Sequence, residues 1–268
     1  DFAYGRPIHD PYHFTGAPRI TSLAAHKKIL DLAVQHDREV WFDVHIWTGE
    51  PRQPDGLEGV PSFIEALHQI HPKARFKVAI FELNANNHNL GRALSNAHAI
   101  NELERLGDVV PVVCSANCLQ PYQQNENGWD QGLVFLNPSQ VWSQPPYFVT
   151  QMVSCHYQPL RLETTAECPD RCLDVTATRS EDGRTTVLKV VNVESYPVET
   201  RIQLADFSAE KDMADVVTLM GQLHEINTPD EPQSVVPTEA IWPLATDNGG
   251  KTLIYTFPPN SFSLLKFE

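Results

Sequence analysis

Phe76-Lys77-Val78-Ala79-Ile80-Phe81-Glu82-Leu83, followed by Asn84-Ala85-Asn86-Asn87-His88, decides how this chain reads. The first eight residues are dense in apolar side chains and read as a buried strand, and the asparagine-rich run after them reads as a loop. Just upstream, residues 61–71 place Phe63, Ile64, Leu67 and Ile70 on one helical face, with Pro61 near the start where its missing N–H is harmless. Just downstream, residues 90–106 read as a long helix closed by Gly107. The same alternation extends outward. Residues 20–36 carry Leu23, Ile29, Leu30, Leu32 and Ala33 at helical spacing, and residues 40–47 read as a strand rich in β-branched and aromatic side chains. Residues 109–115 read as another buried strand, 132–136 as a short one and 146–154 as a last helix. Strand–helix repetition argues for a parallel sheet with helices outside it. Only three or four such units fit, too few for an eight-fold barrel.

The pattern changes near residue 157. Residues 173–177, 186–192, 199–204, 216–220 and 252–257 read as short strands, separated by Gly183, the Asp247-Asn248-Gly249-Gly250 cluster and frequent prolines. That is the signature of an all-β sandwich. The final run, residues 258–265, reads as a closing edge strand. The expected organisation is an α/β unit over residues 1–156 and a β-sandwich over residues 157–268.

Composition narrows the function classes. Hydrophobic residues make up 41% and charged residues 20%, a globular composition. No apolar run approaches the roughly 20 residues that span a bilayer. The formal charge of −14 repels phosphate backbones, so nucleic acid is not an expected partner, whereas neutral sugars are not repelled. The five cysteines are an odd number, leaving at least one without a partner in this chain. Cys168-Pro-Asp-Arg-Cys172 suits a small disulfide loop in an oxidising compartment, or a pair of free thiols. His9-Asp10 and Tyr12-His13 match no clean ligand spacing, and no metal or cofactor is expected. The Gly-x-Ser-x-Gly elbow and the phosphate-binding glycine loop are both missing from the sequence.

Glu82 is the leading candidate for chemistry. A carboxylate at the carboxyl end of a buried parallel strand is costly without hydrogen-bond partners, and that end is where parallel α/β folds build active sites. A Glu paired with an Arg or capping the next helix is the alternative. His45 repeats the pattern in Asp43-Val44-His45-Ile46-Trp47. Alternation puts Asp43, His45 and Trp47 on one face, an acid, an imidazole and an aromatic platform for a sugar ring. A hydrogen-bonded core histidine is the alternative there. A third strand end is followed by Asn117, Gln120 and Tyr122, then by Asn125-Glu126-Asn127-Gly128-Trp129-Asp130-Gln131, amides and an indole of the kind that grip hydroxyl-rich ligands. Glu82 with one further carboxylate would satisfy retaining glycosidase chemistry.

Phe81-Glu82-Leu83, the stretch from Leu94 to Arg105, the stretch from Asn127 to Trp142 and the closing Pro259-Asn260-Ser261-Phe262 together resemble glycoside hydrolase family 51. The resemblance covers nearly the whole chain, but only the later half of that family's barrel. It implies the C-terminal part of a (β/α)₈ barrel followed by a β-sandwich. The implied activity is that of a secreted retaining hydrolase of plant cell-wall polysaccharide. An α-L-arabinofuranosidase is the first expectation, and an endo-β-1,4-glucanase or xylanase the second. A non-catalytic carbohydrate-binding or storage protein is the alternative of another class. By resemblance Glu82 matches the nucleophile and His45 the histidine of an Asp-x-His-x-Tyr motif, with Trp47 standing where that motif has tyrosine. Gln131 matches a substrate-binding glutamine, and Trp129 lies beside it. The family's acid/base is a Glu in an Asn-Glu pair on the fourth barrel strand. Asn101-Glu102 is such a pair but sits inside a helix, so the acid/base is expected outside this chain, on an N-terminal polypeptide of the same precursor.

Overall fold

The structure is a computed structural model that describes residues 10–17, 20–49, 51, 52, 54, 56–125, 128–167, 173–205, 207, 210–247 and 250–268. Cys168 and Cys172, the expected disulfide loop, lie outside these residues, as does His9. Cys114, Cys118 and Cys155 are free and exposed.

The chain opens with an antiparallel pair, β1 (His13–Ala17) and β2 (Ile20–Ser22). The helix expected from residue 20 therefore starts later, as α1 (Ala24–Gln35). The β-branched Ile20-Thr21 pair goes into the ladder with β1, and the Ser22 hydroxyl takes the Ala24 N–H at 3.3 Å. Then come β3 (Glu39–Trp47), α2 (Gly59–Ile70), β4 (Arg75–Asn84), α3 (Leu90–Arg105) and β5 (Val112–Ser115). The sheet order is β3-β4-β5, all parallel. Val78, Ile80 and Leu83 of β4 are completely buried, in one core with Ala93, Leu94 and Ala97 of α3. The apolar run of β5 predicts burial, but Cys114 is exposed and its neighbours are half-buried, because among the described residues β5 has a ladder partner on one side only. Residues 132–136 do not extend this sheet. β6 (Leu119–Pro121), β7 (Val134–Leu136) and β8 (Val141–Ser143) make a separate small one, followed by α4 (Pro145–Cys155).

The second unit is antiparallel. β9 (Leu160–Leu162), β10 (Leu173–Arg179), β11 (Thr186–Asn192), β12 (Val198–Leu204), β13 (Met213–Met220), β14 (Thr238–Pro243), β15 (Ala245–Asp247), β16 (Gly250–Phe257) and β17 (Ser261–Phe267) form two sheets. One has the order β14-β13-β17-β11-β10-β9 and the other β12-β16-β15. Val190, Val216, Leu265 and Phe267 of the first share a core with Leu253, Tyr255 and Phe257 of the second. The final strand is not an edge. β17 lies between β13 and β11, and its residues are buried on both faces, apart from Lys266. Phe262 and Leu264 face the first unit while Leu265 and Phe267 face the second sheet, so both faces of the strand carry apolar side chains.

α3 joins the two units. The Lys189 ammonium of β11, almost fully buried, donates to both carboxylate oxygens of Glu104. Asp174 of β10 accepts from Asn101 at 2.7 Å and from Arg105. Burial pushes the Asp174 carboxyl up, but His98 and Arg105 outweigh it and hold it below the usual carboxylate range. At the other end of α3 the Asn89 side chain caps the Arg92 N–H at 3.0 Å. The segment after β13 supplies two more acceptors, Glu225 O to Leu90 N at 3.0 Å and Leu223 O to Gly91 N at 2.7 Å. A Cβ at Gly91 would stand 3.2 Å from Leu223 O, so glycine permits this approach.

Candidate active site

β3 and β4 run in step from Glu39 opposite Arg75 to Asp43 opposite Ala79. The next pair is His45 opposite Glu82, two residues further on β3 but three on β4. The count also slips on the other side, where Ile80 pairs with Val113 and Leu83 with Ser115. β4 therefore carries a β-bulge that sets Phe81 and Glu82 together opposite His45. Strict alternation from Ala79 would have turned Phe81 toward His45 and Glu82 to the helix side. With the extra residue, Glu82 keeps 42% side-chain exposure on the sheet face opposite the helices, while Leu83 returns to the core at 0%.

The bulge frees an N–H from the ladder, and a side chain meets it. Asp43 Oδ1 accepts the Phe81 N–H at 3.1 Å, while Asp43 Oδ2 takes His45 Nε2 at 2.8 Å. The other imidazole nitrogen, Nδ1, stands 3.3 Å from Glu82 Oε2. Asn84 Nδ2 donates to the same Glu82 oxygen at 2.8 Å. Asp43, His45, Glu82 and Asn84 are thus one connected cluster at the carboxyl end of the sheet, as the sequence places Asp43 and His45. Among the described residues Glu82 is not paired with an Arg, and His45 is half-exposed instead of a core histidine.

Gln131 joins from a separate segment. Its Oε1 accepts the Ala85 N–H at 3.1 Å, tying the loop after β4 to the turn before β7. Gln120 supports that turn from behind, its Oε1 accepting Gln131 N at 3.1 Å and Gly132 N at 2.8 Å, its Nε2 donating to Asp130 at 3.1 Å. A Cβ at Gly132 would approach Gln120 Cβ to 2.6 Å, so the close packing requires glycine. Trp47 and Trp129 meet above the strand ends with ring centroids 6.2 Å apart and planes tilted by 55°. Both indoles are partly open, at 37% and 42% exposure. The structure therefore draws His45, Trp47, Glu82, Trp129 and Gln131 to one end of the sheet. Tyr122 and Gln120 instead pack within the small sheet, Tyr122 edge-on to Trp142 and Gln120 buried. Glu126 and Asn127 lie outside the described residues. Asn101 and Glu102 are used inside α3, one bonded to Asp174 and the other paired with Arg105.

Arg92 escapes sequence reading. It has no exposed surface, and its guanidinium donates to Asn87 O at 3.0 Å, Gln131 O at 2.5 Å, Leu83 O at 3.3 Å and Ala116 O. Burial draws its pKa down to about 10, opposed by the Asp130 charge. The available signal was a cation in the first turn of a helix, the end where the dipole disfavours it, amid the small and apolar Gly91-Arg92-Ala93-Leu94. Among the described residues no group of His, Cys, Asp or Glu has a metal-binding arrangement, and no helix is long and apolar enough to cross a membrane.

No curated protein matches the chain in sequence. Among solved structures, an arabinose-bound GH51 α-L-arabinofuranosidase is similar over 91% of this chain and 42% of its own, with TM-score 0.70 and 19% identity. The α-L-arabinofuranosidase from Thermotoga maritima in an arabinose complex is similar over 84% and 52%, with TM-score 0.67 and 17% identity. A family 51 α-L-arabinofuranosidase from Bifidobacterium longum is similar over 96% and 58%, with TM-score 0.67 and 17% identity. At such identities the likeness is one of fold, and the chain spans about half the length of these structures. The model of the α-L-arabinofuranosidase C-terminal domain matches residues 71–261. That match covers most of the chain and shows that it belongs to the α-L-arabinofuranosidase C-terminal domain family.

Proposed function

We propose that this chain carries the nucleophile of a retaining glycoside hydrolase acting on plant cell-wall polysaccharide outside the cell, with α-L-arabinofuranoside as its first substrate class. The observation that carries the reading is the β4 bulge, which turns Glu82 out of the core and onto His45 and Asn84. The Glu82 carboxylate attacks the anomeric carbon and forms a glycosyl ester as the leaving oxygen departs with a proton. Water then opens the ester, giving up its proton to the group that protonated the leaving oxygen. Gln131, Trp47 and Trp129 bind the sugar. In this reading residues 1–156 are the C-terminal part of a (β/α)₈ barrel and residues 157–268 a β-sandwich.

The second carboxyl group comes from an N-terminal polypeptide of the same precursor that completes the barrel. Its support is the sheet itself. Among the described residues β3 and β5 each lack a ladder partner on one side, and Trp41 and Phe81 are each 49% exposed. The incoming acid/base would stand about 5–5.5 Å from Glu82. Denaturing electrophoresis of active material should show a longer or a second polypeptide, and full activity from this 30.1 kDa chain alone contradicts the arrangement.

A second specificity has one observation in its favour. The open Trp47–Trp129 surface suits stacking of pyranose rings, as an endo-β-1,4-glucanase or xylanase requires. A hydrolysis panel of aryl α-L-arabinofuranoside, carboxymethylcellulose and xylan separates the two. Glu82→Gln in the full-length protein tests the nucleophile. The variant should fold and lose about 10³-fold or more in kcat, and near-normal turnover would end the assignment.

A further inference from the structure

We infer that Arg92 is the positioning residue of this site, holding Gln131 and the Trp129 segment in register with the end of the Glu82 strand; its kinetic consequence rests on the function proposed above. The four carbonyls it binds belong to three separate stretches of chain. Leu83 is in β4 beside Glu82, Asn87 is in the loop after it, Ala116 follows β5, and Gln131 precedes β7. Leu83 lies near the carboxyl end of β4, and Asn87 and Ala116 follow the ends of β4 and β5, so carbonyl dipoles crowd together around one buried guanidinium. A planar fork of N–H donors can satisfy four such oxygens at once. Lysine offers three donors around a single point and cannot span the same set.

Neither bland role fits as well. A structural ion pair would place a carboxylate on the fork, but every hydrogen bond from the two terminal nitrogens goes to backbone, with Asp130 contributing charge from nearby. A packing role would be served by an apolar side chain without the desolvation of a cation. The fork instead links the Glu82 strand end to the backbone of Gln131, whose side chain returns to Ala85 and closes the loop. Trp129, two residues earlier, is carried against Trp47 by the same turn. Gln131 and Trp129 are therefore placed through Arg92, which is too buried to touch substrate itself.

The test is Arg92→Lys, which keeps the charge and loses the fork. In this chain, amide hydrogen exchange at Ala85, Gln131 and Gly132 should rise about tenfold or more while the middle of α3 keeps its protection. In the full-length protein, kcat/KM on the substrate chosen by the panel should fall about 10–100-fold. The same change in a Gln131→Ala background should cost less than about threefold, because the path through Gln131 is already cut. Equal costs in both backgrounds, or unchanged exchange at the three amides, would overturn the role. A full-length wild type with no glycosidase activity refutes the proposed function instead, and the exchange result then decides Arg92 alone. Arg92→Gln, with two amide donors, is the second variant. If both variants unfold below the assay temperature, Arg92 serves stability and not placement, and the inference fails.

Discussion

Glu104→Gln should destabilise the protein by about 2–3 kcal/mol. Lys189 keeps only 4% of its side chain exposed, and its ammonium gives hydrogen bonds to both Glu104 oxygens. Removing one partner of a buried pair costs about 3–5 kcal/mol when the survivor stays desolvated. Two features lower that figure here: Glu104 is itself 23% exposed, and glutamine retains one acceptor oxygen. For a chain of this size the loss corresponds to a drop of about 5–10 °C in Tm. The pH dependence follows from Lys189. Burial lowers its folded-state pKa below the ordinary 10.5, with Glu104 opposing. Between the two values the unfolded chain binds more protons, so this contribution to stability rises with pH there. The burial penalty is complete below the lowered pKa and is relieved as pH climbs through it. Without Glu104 the pKa falls further, so the deficit of Glu104→Gln should shrink between pH 7 and the alkaline range. Thermal unfolding of both proteins by circular dichroism at a series of pH values reads the effect. A Tm within 1–2 °C of wild type at pH 7, or a deficit that widens as pH rises, would show that Lys189 is better solvated than its burial implies. The paired change Lys189→Met with Glu104→Leu removes both charges and should recover most of the lost stability.

Asp43→Ala removes the acceptor of both the bulge N–H and the His45 ring; kcat/KM should fall about 10–100-fold with under about 1 kcal/mol lost in urea unfolding, since the cluster is solvent-facing. Retained activity in Asp43→Ala would mean that the bulge holds its register without it. Trp47→Ala and Trp129→Ala should each raise KM about fivefold or more by removing a stacking surface, and a pure kcat effect would place the indoles away from the bound sugar. Chelators should leave activity unchanged, because the assigned chemistry uses carboxylates alone; activity that disappears with chelator and returns with a divalent ion contradicts it.

The parts of this molecule legible in sequence are those set by local periodicity. The sequence delimits β11 to the residue, and β3, β4, α2, α3 and α4 to within about two residues, because apolar spacing and the punctuating Pro61 and Gly107 speak directly to the backbone. Asp43, His45 and Trp47 were placed on one face by alternation alone, and their common exposure agrees. Where pairing decides, the sequence is silent. Residues 20–22 are compatible with a helix until β1 offers a ladder. β17 reads as an edge because nothing in Ser261–Phe267 says that two neighbours flank it. The β4 bulge is likewise a property of two ladders, and no count along one strand exposes it. Arg92 was missed for the opposite reason: its four acceptors are backbone carbonyls, which carry no residue identity.

The capping of α3 by Leu223 and Glu225 has a consequence for the order in which the chain can mature. On the ribosome, the strand bearing Glu82 and the helix after it emerge more than a hundred residues before the segment that closes that helix's first turn. Until then the Leu90 and Gly91 N–H groups must be hydrated, and Leu90 has no cover from the segment after β13. Arg92 sits in the same turn, but its four carbonyl partners belong to residues 83, 87, 116 and 131 and are all made earlier. A nascent chain stopped near residue 157 would hold every proposed sugar-binding residue and still lack the acceptors for the Leu90 and Gly91 N–H groups. The first turn of α3 is thus completed by a segment made late in vectorial synthesis.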